Sequence, residues 1–188
     1  MRIISGDYKG RKIFESMDKE TRPLKDLTKE SIFNILEHSK NIKISLKESN
    51  VLDLFSGTGS FGLECISRGS SKVYFIEQHK PSIKVLTKNI KKLNCEKKTK
   101  LLCENVFDLK KIKKITKNKF NIIFLDPPYK EKNIILLLNE IYEMNILTDK
   151  GIIVLHRHKK SVDNFDNKFK ILRTESYGIS KIIFSKFN

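Results

Sequence analysis

The sequence predicts an α/β fold: a mostly parallel seven-stranded sheet with an antiparallel C-terminal hairpin, preceded by a small N-terminal appendage. Three observations carry this expectation. From residue 51 onward, short apolar runs alternate with segments of helical periodicity, the pattern of a parallel sheet covered on both faces. A glycine-rich loop, Gly57-Thr58-Gly59-Ser60-Phe61-Gly62, directly follows the first run. The last two runs, 169–175 and 179–187, are joined only by Ser176-Tyr177-Gly178. That link is too short for a crossover and suits a hairpin.

The elements follow in chain order. Residues 2–14 hold two short β-type runs around Gly6-Asp7-Tyr8-Lys9-Gly10, a first hairpin. Ile32, Phe33, Ile35 and Leu36 mark a short amphipathic helix, with Asp26 or Thr28 as its cap. These pieces form an appendage over residues 1–48, and 49–188 make the main domain. Val51-Leu52-Asp53-Leu54-Phe55 is the first strand of that domain. A helix over 60–68 follows, closed by Gly69. Residues 73–77 are the second strand. Pro81 then stands early in a helix whose Ile83, Leu86, Ile90 and Leu93 recur on one apolar face. Strands over 100–104 and 121–126, a helix over 134–142 and a strand over 151–156 complete the alternation.

Composition narrows the function classes. The 188 residues suffice for one substantial core, and the 39% hydrophobic content is gathered in compact runs, which argues against disorder. No stretch approaches the roughly 20 apolar residues of a membrane span, and the N-terminus lacks a signal-peptide pattern. No membrane partner is expected, and a cytoplasmic location is. Cys65, Cys95 and Cys103 form no CxxC, which speaks against a disulfide framework or a zinc site, so no metal is expected. The net charge of +16 fits a polyanionic partner, because phosphate neutralisation supplies most non-specific nucleic-acid affinity. Only six of the 38 basic residues are arginine, so part of that charge is also what a lysine-rich composition alone gives.

The chemistry concentrates at strand ends. Ile122-Ile123-Phe124-Leu125 runs into Asp126-Pro127-Pro128-Tyr129, where two prolines force the chain out of the sheet. The strand thus ends on a carboxylate, a proline carbonyl and an aromatic ring. A carboxylate and a carbonyl can both accept hydrogen bonds from one NH2 group, and a tyrosine face can stack on a base. The bland reading is a strand followed by a turn. At the first strand, Gly57-x-Gly59-x-x-Gly62 with Glu77 downstream also matches the dinucleotide fingerprint, so an NAD enzyme must be weighed. Asp53 tips the balance, since a carboxylate there would repel a pyrophosphate and tolerate an ammonium or sulfonium. S-adenosylmethionine carries both. In an open parallel sheet the carboxyl ends of the strands share one crevice, so Asp53, Gly57, Glu77, Asn105 and Asp126 should meet there.

The chain resembles the bacterial RsmD-type methyltransferases, which methylate N2 of a guanine in 16S ribosomal RNA with S-adenosylmethionine. The resemblance is carried by Arg2-Ile3-Ile4-Ser5-Gly6 with Lys9-Gly10-Arg11-Lys12, by Thr21-Arg22-Pro23, and by Lys29-Glu30-Ser31-Ile32-Phe33-Asn34-Ile35-Leu36. Leu52 to Gly59 and Phe124 to Tyr129 match motifs common to many amino-group methyltransferases. It implies a Rossmann-like class I S-adenosylmethionine-dependent methyltransferase fold. It implies that Asp53, Ser56, Gly57, Thr58 and Gly59 line the methionine end of the cofactor, with Phe55 and Gln78 beside them. Glu77 should then hold the ribose, and Asn105 and Val106 the adenine. Asp126, Pro127 and Tyr129 become the catalytic set, with Pro128 at the substrate. Lys9, Arg11, Lys12 and Arg22 are the expected RNA grip, joined by residues 157–160. The implied partner is 16S rRNA in a protein-bound assembly intermediate of the small subunit, met by a monomer.

Three alternatives stay open. The tetrapeptide at Asp126 fits adenine N6, in RNA or DNA, as well as guanine N2. An NAD-linked oxidoreductase and a non-catalytic RNA-binding module are the others.

Overall fold

The hydrophobic patterning of the strands decides how the layers stack. In the computed structural model, which describes residues 1–16, 24–42, 44–108 and 119–188, alternate strand residues enter two separate cores. Val51, Val73, Phe75, Ile122 and Phe124 point to one face; Leu52, Leu54, Ile76, Ile123 and Leu125 point to the other. Both faces are therefore apolar, as in a parallel sheet with helices on either side.

The strands are β1 (Asn50–Leu54), β2 (Lys72–Ile76), β3 (Thr99–Leu102), β4 (Phe120–Leu125), β5 (Leu147–His158), β6 (Phe169–Tyr177) and β7 (Ser180–Phe187). They form one sheet in the order β3-β2-β1-β4-β5-β7-β6. The pairs from β3 through β5 are parallel, while β7 pairs antiparallel with both β5 and β6. The hairpin thus closes the sheet with its second strand inside and its first at the edge. Helices α1 (Asp26–His38), α2 (Ser60–Ser67) and α3 (Lys80–Lys92) cover the first face, and α4 (Ile134–Glu143) covers the second.

Three details depart from the expected elements. β5 begins at Leu147 rather than 151, because Leu147 pairs with Phe120 and a register irregularity before Ile122↔Ile152 absorbs the extra residues. The C-terminal turn is the pair Gly178-Ile179, with Tyr177 and Ser180 already paired. Neither Asp26 nor Thr28 caps α1. Lys25 is the N-cap, with no side-chain cap bond, and Asp26 lies in the first turn. Its carboxylate turns to Arg2 instead, 3.4 Å away.

The N-terminal residues dock onto α2 rather than standing apart from it. Arg2 and Lys12 form an antiparallel bridge. The Ile4 and Ser5 amides donate to the two oxygens of Glu64 at 2.8 and 2.9 Å. The Asp7 amide donates to the Ser67 carbonyl at 2.8 Å, and that of Tyr8 to the Ser67 hydroxyl at 2.9 Å. Gly6 makes this approach possible. Its φ is +81°, and a Cβ there would lie 1.8 Å from the Ser67 carbonyl oxygen.

Candidate active site

The reversal of strand order between β1 and β4 opens a crevice of about 1210 Å³ at the carboxyl ends of the strands. Asp53, Phe55, Ser56, Gly57 and Thr58 reach it from β1 and its loop, and Glu77 and Gln78 from β2. Asn105 and Val106 reach it after β3, and Asp126 through Tyr129 after β4. Gly59 is the one expected cofactor residue outside this lining. It has φ +83°, and a Cβ on it would lie 2.3 Å from Leu86 Cδ1, so it shapes the turn from beneath.

The loop is held by its own polar groups. Asp53 is buried under the first turn of α2, where Oδ2 accepts the Gly62 amide at 3.0 Å. Its Oδ1 is buried with no protein hydrogen bond. Burial, with Asp126 and Glu77 adding, holds the Asp53 carboxyl well above the usual carboxylate range. Glu77 accepts three backbone amides, from Gly57 at 2.7 Å, Gln78 at 2.9 Å and His79 at 2.8 Å. A carboxylate has about four acceptor positions, so one remains for a ligand hydroxyl. The Ser56 hydroxyl accepts the Ile76 amide at 3.0 Å, which ties β1 to β2. Asn105 folds back in an Asx turn, its side-chain oxygen accepting the Phe107 amide at 3.0 Å.

Across the crevice, Asp126 is not alone. His156, buried at the end of β5, brings Nδ1 to 2.8 Å from Asp126 Oδ1. Tyr129 is fixed at both ends. Its hydroxyl meets the Ser180 hydroxyl at 2.9 Å, and its ring stands edge-on to His156 and His158, with centroids 6.3 and 4.9 Å away. A negative oxygen, a rigid aromatic wall and the backbone of Pro127 therefore share one side of the crevice. This arrangement can accept two hydrogen bonds from a planar amine and hold its ring.

The family described as Conserved hypothetical protein 95 matches residues 1–186. The Bacillus subtilis relative YlbH is 32% identical over 99% of this chain and 98% of its own length. Ribosomal RNA small subunit methyltransferase D of Buchnera aphidicola is 35% identical over 84% of this chain and 78% of its own length. Among solved structures, yhhF from Escherichia coli superposes with a TM-score of 0.80 at 22% identity, covering 100% of this chain and 97% of that one. The chain belongs to the RsmD-type methyltransferase family. Its fold is the Rossmann-like class I methyltransferase fold.

Family membership makes S-adenosylmethionine the cofactor to test against these residues. Asp53 Oδ1 is a buried acceptor with a negative neighbourhood and no internal donor, the environment an ammonium group satisfies. Glu77 keeps an acceptor position for a hydroxyl, and Phe55 and Phe107 meet edge-on at 6.2 Å beside Val106. The residues present fit the group.

The crevice is lined by Lys80 and Lys130, not by the described basic residues expected to grip RNA. Lys9 and Arg11 sit at the turn that docks on the C-terminal end of α2, whereas Ser60 at its other end lines the crevice. Eight residues of helix make that separation about 12 Å. Lys12 is exposed on the return strand of the same hairpin, and Arg22 lies outside the described residues. Of residues 157–160, Arg157 alone needs correcting as an RNA grip, since Lys159 and Lys160 are exposed. Arg157 is buried, with both Asp163 oxygens and the Glu131 carbonyl as acceptors, because it straps two loops together.

Sequence reasoning missed His156 and Phe107. The signal for His156 was present: a polar residue ends an apolar strand, level with the residue after Leu125 in the neighbouring strand. Using it requires the register of β4 on β5.

Proposed function

We propose that this chain methylates the exocyclic N2 amine of a guanine in 16S rRNA, using S-adenosylmethionine. The observation that carries the reading is the Asp126 carboxylate at the end of β4, opening on the crevice beside a Tyr129 ring pinned by Ser180 and two histidines. Relatives named as ribosomal RNA small subunit methyltransferases support RNA as the polymer. The choice of guanine N2 over adenine N6 rests on the family resemblance.

S-adenosylmethionine, when bound, would supply a methyl group on a sulfonium; the transfer would form one N–C bond, break one S–C bond, leave a neutral thioether and release one proton from nitrogen to Asp126 or to water. Asp53 and the glycine loop hold the methionine end, Glu77 the ribose, and Asn105 and Val106 the adenine. The chain's main task at the acceptor is orientation. Guanine N2 is a poor nucleophile because its lone pair is delocalised into the ring. Hydrogen bonds from the NH2 group to the Asp126 carboxylate and the Pro127 carbonyl localise that pair. The carboxylate also offsets the positive charge that develops on nitrogen. Tyr129 stacks on the base, which must leave its neighbours to enter, and Pro128 walls the entrance. The substrate is rRNA in a protein-bound assembly intermediate of the small subunit, met by a monomer in the cytoplasm. The basic hairpin with Lys9, Arg11 and Lys12 grips RNA away from the crevice.

Two measurements test this. Mapping methylated guanosine in 16S rRNA from cells lacking the protein should show one site unmodified; a complete methylation pattern argues against the substrate. D126A should lose most turnover, a drop of about a hundredfold or more, while cofactor affinity stays near the parent's. Turnover at the parent's level in that variant removes Asp126 from the chemistry.

A further inference from the structure

We infer that His156 is a positioning residue for methyl transfer: its Nδ1–H holds one oxygen of Asp126, so the carboxylate meets the substrate amine in a single orientation. The inference rests on the reading of Asp126 as the group that binds that amine.

The geometry supplies the argument. β4 and β5 are parallel neighbours with Leu125 opposite Leu155, so Asp126 and His156 occupy adjacent positions one residue further on. Phe124 and Val154, two residues earlier on each strand, enter the same core, so both side chains emerge on the same face. The imidazole is 3% exposed, Asp126 is 17% exposed at the crevice, and Nδ1 lies 2.8 Å from Oδ1. An ionised carboxylate only accepts hydrogen bonds, so the hydrogen between them belongs to Nδ1. Pairing with Ile182 of β7 fixes the backbone of His156, and burial confines its ring.

The terminal torsion of an aspartate is broad, and a carboxylate at a pocket edge otherwise samples many directions. Anchoring Oδ1 fixes the plane of the group and thereby the direction of Oδ2. The same imidazole meets the Tyr129 ring edge-on, so one side chain sets both the hydrogen-bond acceptor and the stacking wall of the tetrapeptide. The hydrogen on Nδ1 stays with the ring throughout, and no further reactant is needed.

A buried histidine that merely fills space predicts something different, and the test separates the two. H156L removes the donor, while H156N places an amide nitrogen near the position of Nδ1. Turnover on small-subunit RNA, RNA KM, cofactor affinity and melting temperature are measured for both and for D126A. The expected result for H156L is a folded protein with cofactor affinity within about twofold of the parent and kcat lower by about tenfold to a hundredfold, the cost of a misplaced reacting group. H156N should recover kcat to within about threefold of the parent. Should H156L fail to fold, H156Q takes its place, because its amide reaches the position of Nε2 instead. In the unmodified protein, nitrogen NMR of labelled histidine should show His156 Nδ1 carrying hydrogen.

Parental kcat in H156L overturns the inference, as do equal losses in H156N and H156L, or an Nδ1 without hydrogen. D126A distinguishes the levels of failure. If D126A turns over like the parent, the reading of Asp126 falls and the inference falls with it. If D126A is inactive while H156L is normal, only the role of His156 is lost.

Discussion

Asp53 shows at the residue scale how a binding site costs stability. A carboxyl with one buried oxygen lacking any internal donor is unfavourable in the ligand-free fold. Its raised titration fixes the sign of a pH effect. The folded chain holds the Asp53 proton more tightly than the unfolded chain does, because burial, Asp126 and Glu77 all oppose ionisation. The stabilising contribution of that proton is therefore complete below the ordinary aspartate value of about 4 and is lost as pH rises toward the folded value. Replacing the group with an amide removes the titration. Across that window, wild type should gain stability relative to D53N as pH falls, measured by denaturant titration of the ligand-free proteins. D53N should also weaken S-adenosylmethionine binding about tenfold or more, the scale of a hydrogen bond to a charged group. A pH-independent stability difference, or equal affinity by calorimetry, contradicts this account of Asp53.

Glu64 dominates at the scale of elements, since a single side chain joins three of them. It is fully buried on α2, accepts the Ile4 and Ser5 amides, and takes Arg68 Nε at 2.9 Å. Lys29 of α1 approaches it to 3.7 Å while donating to the Arg2 carbonyl at 2.8 Å and the Ser60 hydroxyl at 3.1 Å. Burial pushes the Lys29 ammonium down, and Glu64 is the main influence pulling the other way. Removing the acid leaves a buried cation and two backbone amides without their acceptor. E64A should therefore destabilise by about 3–5 kcal/mol, and the loss should exceed that of K29M, whose apolar replacement fills the same space. Equal effects would mean that Glu64 is not the hub. None of this was legible in the sequence, where Glu64 is one acid in an otherwise apolar helix. Its backbone partners Ile4 and Ser5 stand about 60 residues away and reach it because Gly6 turns against Ser67. The sheet, by contrast, was legible, because its apolar runs allow few arrangements and the parallel strands all end on one rim. The crevice residues followed from that rim, and His156 was missed because only strand register brings it to Asp126.

For the molecule as a whole, the placement of charge bears on the proposed RNA grip, which lies away from the crevice that Lys80 and Lys130 line. The net charge of +16 is spread widely, but Lys9 and Arg11 stand together on an anchored turn, with the Arg11 guanidinium 5.3 Å from the Tyr8 ring centroid. Docking through Asp7 and Tyr8 fixes that turn to the end of α2 remote from the crevice. A long RNA can span this distance, so the turn should contribute to binding and not to the chemical step. The double reversal K9E/R11E should therefore raise the RNA KM and leave both saturated kcat and cofactor affinity close to the parent's. Each phosphate left without its cation should reduce the slope of log affinity against log salt by about 0.7–0.9. The double variant should thus flatten the slope by about 1.4–1.8, which binding titrations at four or five salt concentrations resolve. A parental slope with parental KM would move the RNA path to another face of the protein. A fall in kcat with KM unchanged would instead mean that the hairpin acts on the crevice through α2, along the Glu64 and Lys29 interactions that reach Ser60.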